Sequence, residues 1–207
     1  MKKRNHKPEP LQPGQFYHIF NRGNNSIDIF FDTESYYHFL RLYTRYLYPV
    51  TDTYAWCLLK NHFHLLVYIR KPEEIEEHLL EYSTVDKPKV LSATHQFSHF
   101  FNAYTQAINK KFRRTGCLFE KPFGRRWIHS TNYLRNVICY IHQNPVIHGF
   151  AKRPEDYPWT SFEVAISERP TQLRREEVMQ LFGGKNQFIS FHQEPFNFST
   201  IHKFIVK

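Results

Sequence analysis

Cysteine is scarce in this chain. Cys57, Cys117 and Cys139 are odd in number, far apart and never spaced as CxxC. That argues against a disulfide framework and a structural zinc knuckle, so reduced thiols are expected. Long apolar runs are missing as well. The apolar residues come in short stretches such as Leu65–Ile69, whereas a membrane span needs roughly 20 in succession. The opening MKKRNHKPEPLQPGQ is basic and proline-containing with no apolar core behind it, so it fails as a signal peptide and reads as a flexible arm over residues 1–14 of a cytoplasmic protein. Acidic residues are also in deficit: 19 Asp plus Glu stand against 28 Lys plus Arg, for a net charge of +9. Polyanions are the partners such a balance favours.

What the sequence does hold is aromatic surface, with 20 Phe and 13 Tyr among 207 residues. Most of it must fill a core, and the remainder is available for stacking on unpaired bases. Along the chain, Gln15–Asn21 reads as a strand closed by a Gly-Asn turn signal, with Arg22 at its exit. Asp32-Thr33 can cap a helix carrying Tyr36, Phe39, Leu40 and Tyr43 that ends before Pro49. TYAWCLLK and HFHLLVYIR, separated by little more than Lys60-Asn61, predict an antiparallel hairpin over residues 53–69. An acidic stretch follows over residues 71–88 and reads as a surface helix and a loop.

A longer helix is predicted from about Thr94 to Phe112, with Phe97, Phe100, Phe101, Tyr104 and Ile108 on one stripe. Its end is strongly basic: Lys110, Lys111, Arg113, Arg114, Lys121, Arg125 and Arg126 meet only Glu120 and are interleaved with Phe112, Phe119, Phe123 and Trp127. This is either a solvated face or a strand-binding surface. Arg125–His129 reads as a last strand. Ser130 or Thr131 then caps a helix with Leu134, Val137, Ile138 and Ile141 on its apolar side, which Pro145 is expected to stop. REEVMQLFGG predicts one further short helix. The order strand, helix, two strands, helix, strand, helix predicts an α+β fold of the split β-α-β type, ferredoxin- or RRM-like. Its antiparallel sheet would carry helices on one face and leave the other open for a ligand, with a short helical C-terminal extension over residues 164–207.

Side chains alternate along a strand, so His62 and His64 of the HFH triplet leave one face while Phe63 leaves the other. Two imidazoles so placed supply half the coordination sphere of a divalent cation; two ordinary sheet histidines are the plain alternative. Tyr140 and Asn144 in YIHQNP stand four apart on the last major helix and should emerge together, about a quarter turn from its apolar stripe. Asn144 could then offer a carbonyl oxygen to a cation held by the imidazoles, with the Tyr140 phenol beside it. Tyr133 and Tyr104 compete for that role, but lack an amide four residues on and read as packing residues.

Together these residues resemble the HUH single-tyrosine transposases, most closely the REP-associated tyrosine transposases and their insertion-sequence relatives. FYHIFNRGN resembles the family's first strand, YAWCLLKNHFHLLV its HUH hairpin, GCLFEKPF with YLRNVICYIHQNPVIHGF its basic turn and tyrosine helix, and PEDYPWTSFE the tail that follows. The resemblance covers residues 15–163. It implies a catalytic domain over that span in which Tyr140 is the nucleophile and His62, His64 and Asn144 hold Mg²⁺ or Mn²⁺. It further implies cleavage and rejoining of single-stranded or hairpin DNA through a 5′-phosphotyrosine link. Backbone contacts are then expected from Arg22, Lys110, Lys111, Arg113, Arg114, Arg125 and Arg126, in a monomer or homodimer. A non-catalytic single-strand-binding module on the same scaffold is the competing reading. A metal-free phosphoesterase with two H-x-Ser/Thr motifs fits less well, since only His129-Ser130 matches.

Overall fold

The computed structural model describes residues 10–82 and 91–194. Residues 1–9 of the expected arm, the expected loop at 83–88 and residues 195–207 of the expected extension lie outside them. Four strands, β1 (Phe16–Arg22), β2 (Thr51–Leu59), β3 (His62–Ile69) and β4 (Gly124–Ile128), form one sheet in the order β2-β3-β1-β4. Every neighbouring pair is antiparallel. Since β3 lies between β1 and β2, the β1–α1–β2 unit is split as expected. Helix α1 (Thr33–Tyr46) starts on a capping box in which Ser35 N–H donates to Asp32 Oδ1 at 2.9 Å. α2 (Pro72–Tyr82) follows β3, and α3 (Ala93–Lys111) leads to β4.

One face of the sheet carries Ile19, Phe63, Leu65 and Val67, and packs on Phe39 of α1 and on Phe97, Phe100 and Tyr104 of α3, all buried. The expectation of helices on one face alone needs correction here. The opposite face is covered over β2 and β3 by α4 (Thr131–Ile147), α5 (Phe162–Ile166), α6 (Arg175–Phe182) and α7 (Lys185–Gln193). Ala55, Cys57 and Leu66 meet Val137, Ile138 and Ile141 there. The physical reason lies in LLVYI: a strand apolar at successive positions buries both faces. Val137, Ile138 and Ile141 are fully buried, and burial of such side chains stabilises by about 1.5–3 kcal/mol each.

The C-terminal extension is therefore part of a core, with Leu173, Val178, Phe182 and Phe188 buried against α4. Residues 10–14 are likewise held rather than loose: Leu11 is buried, Gln12 N–H donates to the Tyr17 hydroxyl at 3.0 Å, and Gly14 N–H donates to Ile69 O at 2.7 Å.

Pro145 does not stop its helix, which runs to Ile147. Proline deletes one backbone donor, but this helix closes beyond it: His148 N–H donates to Asn144 O at 3.0 Å, and Phe150 N–H to Pro145 O at 2.7 Å across Gly149, whose φ of 72° is the left-handed value that favours glycine. Among the described residues no helix is long and apolar enough to cross a membrane.

Candidate active site

The site forms where the end of β1, the start of β3 and the last turns of α4 meet. Arg22 pairs with His62 and Phe20 with His64 in the β1–β3 register. Gly23 fixes the exit of β1: its N–H donates to Asn61 O at 2.8 Å, and a Cβ there would fall 1.9 Å from Ile27 O. Phe63 points into the α1/α3 core, so His62 and His64 share the other face, as the alternation predicts.

Tyr140 of the same chain lies on that face, its ring edge-on to His64 with centroids 5.4 Å apart. Asn144 is fully buried one turn on; its Nδ2 donates to Tyr140 O at 2.7 Å, and its buried Oδ1 has no hydrogen-bond partner among the described residues. The helical run through Pro145 is what keeps Asn144 and Tyr140 in one direction.

Both competitor tyrosines are placed elsewhere. Tyr104 is buried in the α1/α3 core and donates to Ile29 O at 2.7 Å. Tyr133 is buried two turns earlier on α4, against His129.

Burial sets the protonation states. The Tyr140 phenol is pushed up to about 12 by loss of solvent, with the Asn144 amide pulling the other way. His62 is lowered to about 3 by burial, then by His148 and Arg22; His64 is held well below its ordinary value by burial and its neighbouring imidazoles. Both rings are neutral at pH 7 and so have a lone pair to offer. His62 Nδ1 lies 2.7 Å from Asn61 Oδ1, to which it donates, leaving Nε2 as the basic nitrogen. Two neutral imidazoles plus an amide oxygen unsatisfied among the described residues make a donor set suited to a small divalent cation. Among the described residues no three His, Cys, Asp or Glu side chains group for a metal; beside the two imidazoles, Asn144 offers an amide oxygen.

The basic residues separate into groups. Arg22 is half-buried, its Nε has no hydrogen-bond partner among the described residues, and its guanidinium lowers both His62 and His148. Arg126 is exposed on the site's face of β4, beside His18. Arg125 turns to the opposite face and stacks over Phe123 at 3.9 Å. The turn after α3 is tied to the same end of the sheet, with Asn24 N–H donating to Leu118 O at 2.9 Å and Glu120 N–H to Arg22 O at 3.0 Å. Lys110 and Arg113 are exposed there. Lys111 is paired with Asp32 at 2.8 Å, and Arg114 lies over Phe31 at 5.5 Å.

Sequence reasoning missed two residues at the site. His18 is buried beside His64, and His148 at the end of α4 stands edge-on to His62 with centroids 4.7 Å apart. The alternation of FYHIFNR, which puts Phe16, His18 and Phe20 on one face, was a usable signal for the first. The second needed the knowledge that α4 continues past Pro145.

No family model matches the chain. A Haemophilus influenzae protein named as a REP-associated tyrosine transposase is 29% identical over 114 residues, which is 54% of this chain and 58% of that protein, so the match spans little more than half the relative's length. A solved structure of a REP-associated tyrosine transposase bound to a REP hairpin superposes with a TM-score of 0.56 at 16% identity, covering 82% of this chain and 89% of that one. In sequence and in fold, the chain is similar to REP-associated tyrosine transposases.

Proposed function

We propose that this protein is a divalent-metal-dependent tyrosine transposase that cleaves and rejoins single-stranded or hairpin DNA through a 5′-phosphotyrosine link. The observation that carries the reading is the buried Tyr140 ring standing against His64 of the His62/His64 pair within one chain, with the Asn144 Oδ1, unsatisfied among the described residues, one turn on. His62, His64 and Asn144 would hold Mg²⁺ or Mn²⁺. When bound, the ion supplies Lewis-acid stabilisation of charge on the scissile phosphate.

The chain's own groups do the rest. Tyr140 Oη attacks phosphorus, the P–O3′ bond breaks, and the 3′-oxygen leaves as a hydroxyl, taking up a proton equivalent to the one the phenol gives up. A phenol at about 12 keeps its proton at neutral pH, so attack requires a base or water to take that proton. Because the phosphodiester energy is stored in the link, the same step reversed rejoins ends without ATP. Arg22 and Arg126 flank the histidines and suit phosphate oxygens, while Lys110 and Arg113 extend the positive surface along the strand's path.

The test is incubation with end-labelled single-stranded hairpin DNA and Mn²⁺, read on a denaturing gel. A covalent adduct in the wild type that is absent from Tyr140→Phe supports the reading. Binding without any adduct in the wild type favours a non-catalytic single-strand-binding module instead.

A further inference from the structure

His18 is a buried polar residue that the proposed chemistry does not use. On β1 it lies diagonally across from His64, since Phe20 pairs with His64 and His18 with Leu66, so both rings leave the same face. Its Nε2 is 2.9 Å from His64 Nδ1, the ring centroids are 5.1 Å apart, and Tyr140 closes over it edge-on at 5.9 Å. The flanking residues on this face of the strand are Phe16 and Phe20. A phenylalanine at position 18 would match that packing; what an imidazole adds is a nitrogen able to accept a hydrogen bond.

One proton fills the gap between the two rings, and it has two placements. With it on His18 Nε2, His64 Nδ1 accepts, and the neutral His64 ring must carry its own proton on Nε2. With it on His64 Nδ1, His18 accepts and His64 keeps a lone pair on Nε2. His62 has the corresponding arrangement, its Nδ1 facing the Asn61 oxygen.

We infer that His18 is a positioning residue, which accepts a hydrogen bond from His64 Nδ1–H and so fixes His64 in the tautomer and ring orientation needed to bind a divalent cation through Nε2. The inference rests on the metal role proposed for His64. A partner on the second nitrogen sets the tautomer and raises the basicity of an imidazole ligand, and its loss typically weakens metal binding by about 10–100-fold.

The test uses the full chain and Mn²⁺ alone. Mn²⁺ affinity is measured by electron paramagnetic resonance for wild type, His18→Phe, His18→Gln and His64→Ala, and the His64 tautomer by ¹⁵N NMR of the metal-free protein, with thermal melting as the check on folding. His18→Phe should weaken binding about tenfold or more and release His64 from the Nδ1–H form. His18→Gln, whose amide oxygen also accepts, should restore most of the affinity. Wild-type affinity in folded His18→Phe, or a wild-type His64 protonated on Nε2, overturns the inference while leaving the metal site standing. If His64→Ala binds Mn²⁺ as tightly as wild type, the metal reading itself falls, and the role of His18 with it.

Discussion

Tyr140 and His64 face each other edge-on with ring centroids 5.4 Å apart, although 75 residues of sequence lie between them. The pair belongs to one chain, because β3 and α4 pack directly against each other through the second core. Under the proposed function this single-chain pairing serves as the active site. Mixing His62→Ala with Tyr140→Phe should therefore restore no adduct, since each chain would have to lend its intact half to the other. Recovery of adduct well above either variant alone would show that the tyrosine helix is exchanged between subunits.

Phosphate contacts can be sorted by salt. Each contact to a single strand contributes about 0.7 to the slope of log affinity against log salt. Arg126→Ala, on the site's own face, should flatten the slope by about that amount. Lys111→Ala should change it less, because its ammonium is engaged by Asp32 at 2.8 Å. Fluorescence anisotropy of a labelled oligonucleotide over a salt series reads both, and equal effects would contradict this partition.

Much of the fold was legible from pattern. The FYHIFNR strand, the hairpin turning on Lys60-Asn61 and the Asp32 cap fall within a residue or two of where they are predicted, because turn chemistry and alternation are local properties. The HFH and Tyr140/Asn144 pairs were legible for the same reason: strand and helix periods decide which side chains share a face. What was not legible depends on tertiary partners. The covering of the second face required knowing that α4 to α7 return to the sheet. Pro145 misled because the penalty for a missing donor is local, whereas the helix here is held by side chains buried from Tyr133 through Pro145. His18 needed the β1–β3 register.

The buried histidines predict acid sensitivity. His18 is lowered to about 3 by burial and then by Arg126, His192 to about 4 by burial, and His142 well below its ordinary value by burial and by His192. An unfolded chain takes up these protons near pH 6.5, while the folded chain refuses them down to about pH 4. Stability is thus complete above about pH 6.5 and is lost as pH falls, by up to about 1.4 kcal/mol per pH unit for each such group. Thermal melting with chelator present should show Tm dropping between pH 6.5 and 5; a flat profile would contradict these environments.

The C-terminal helices should matter to the site through α4. His142 Nδ1 is 2.9 Å from His192 Nε2 on α7, and its Nε2 is 2.8 Å from Ser161 Oγ, so one buried polar chain ties α4 to both neighbours. Phe188, fully buried, packs on this pair with its ring 4.2 Å from His192. Phe188→Ala should cost about 3–5 kcal/mol of stability by denaturant unfolding. A loss below 1 kcal/mol would show that α7 is not part of the core supporting the tyrosine helix.

The most direct measurement is mass spectrometry of proteolysed adduct formed on single-stranded DNA with Mn²⁺. The expected result is a nucleotide-bearing peptide with its modification on Tyr140, present in Tyr104→Phe and Tyr133→Phe and absent from Tyr140→Phe. A modification mapped to any other residue, or an undiminished adduct in Tyr140→Phe, would contradict the account.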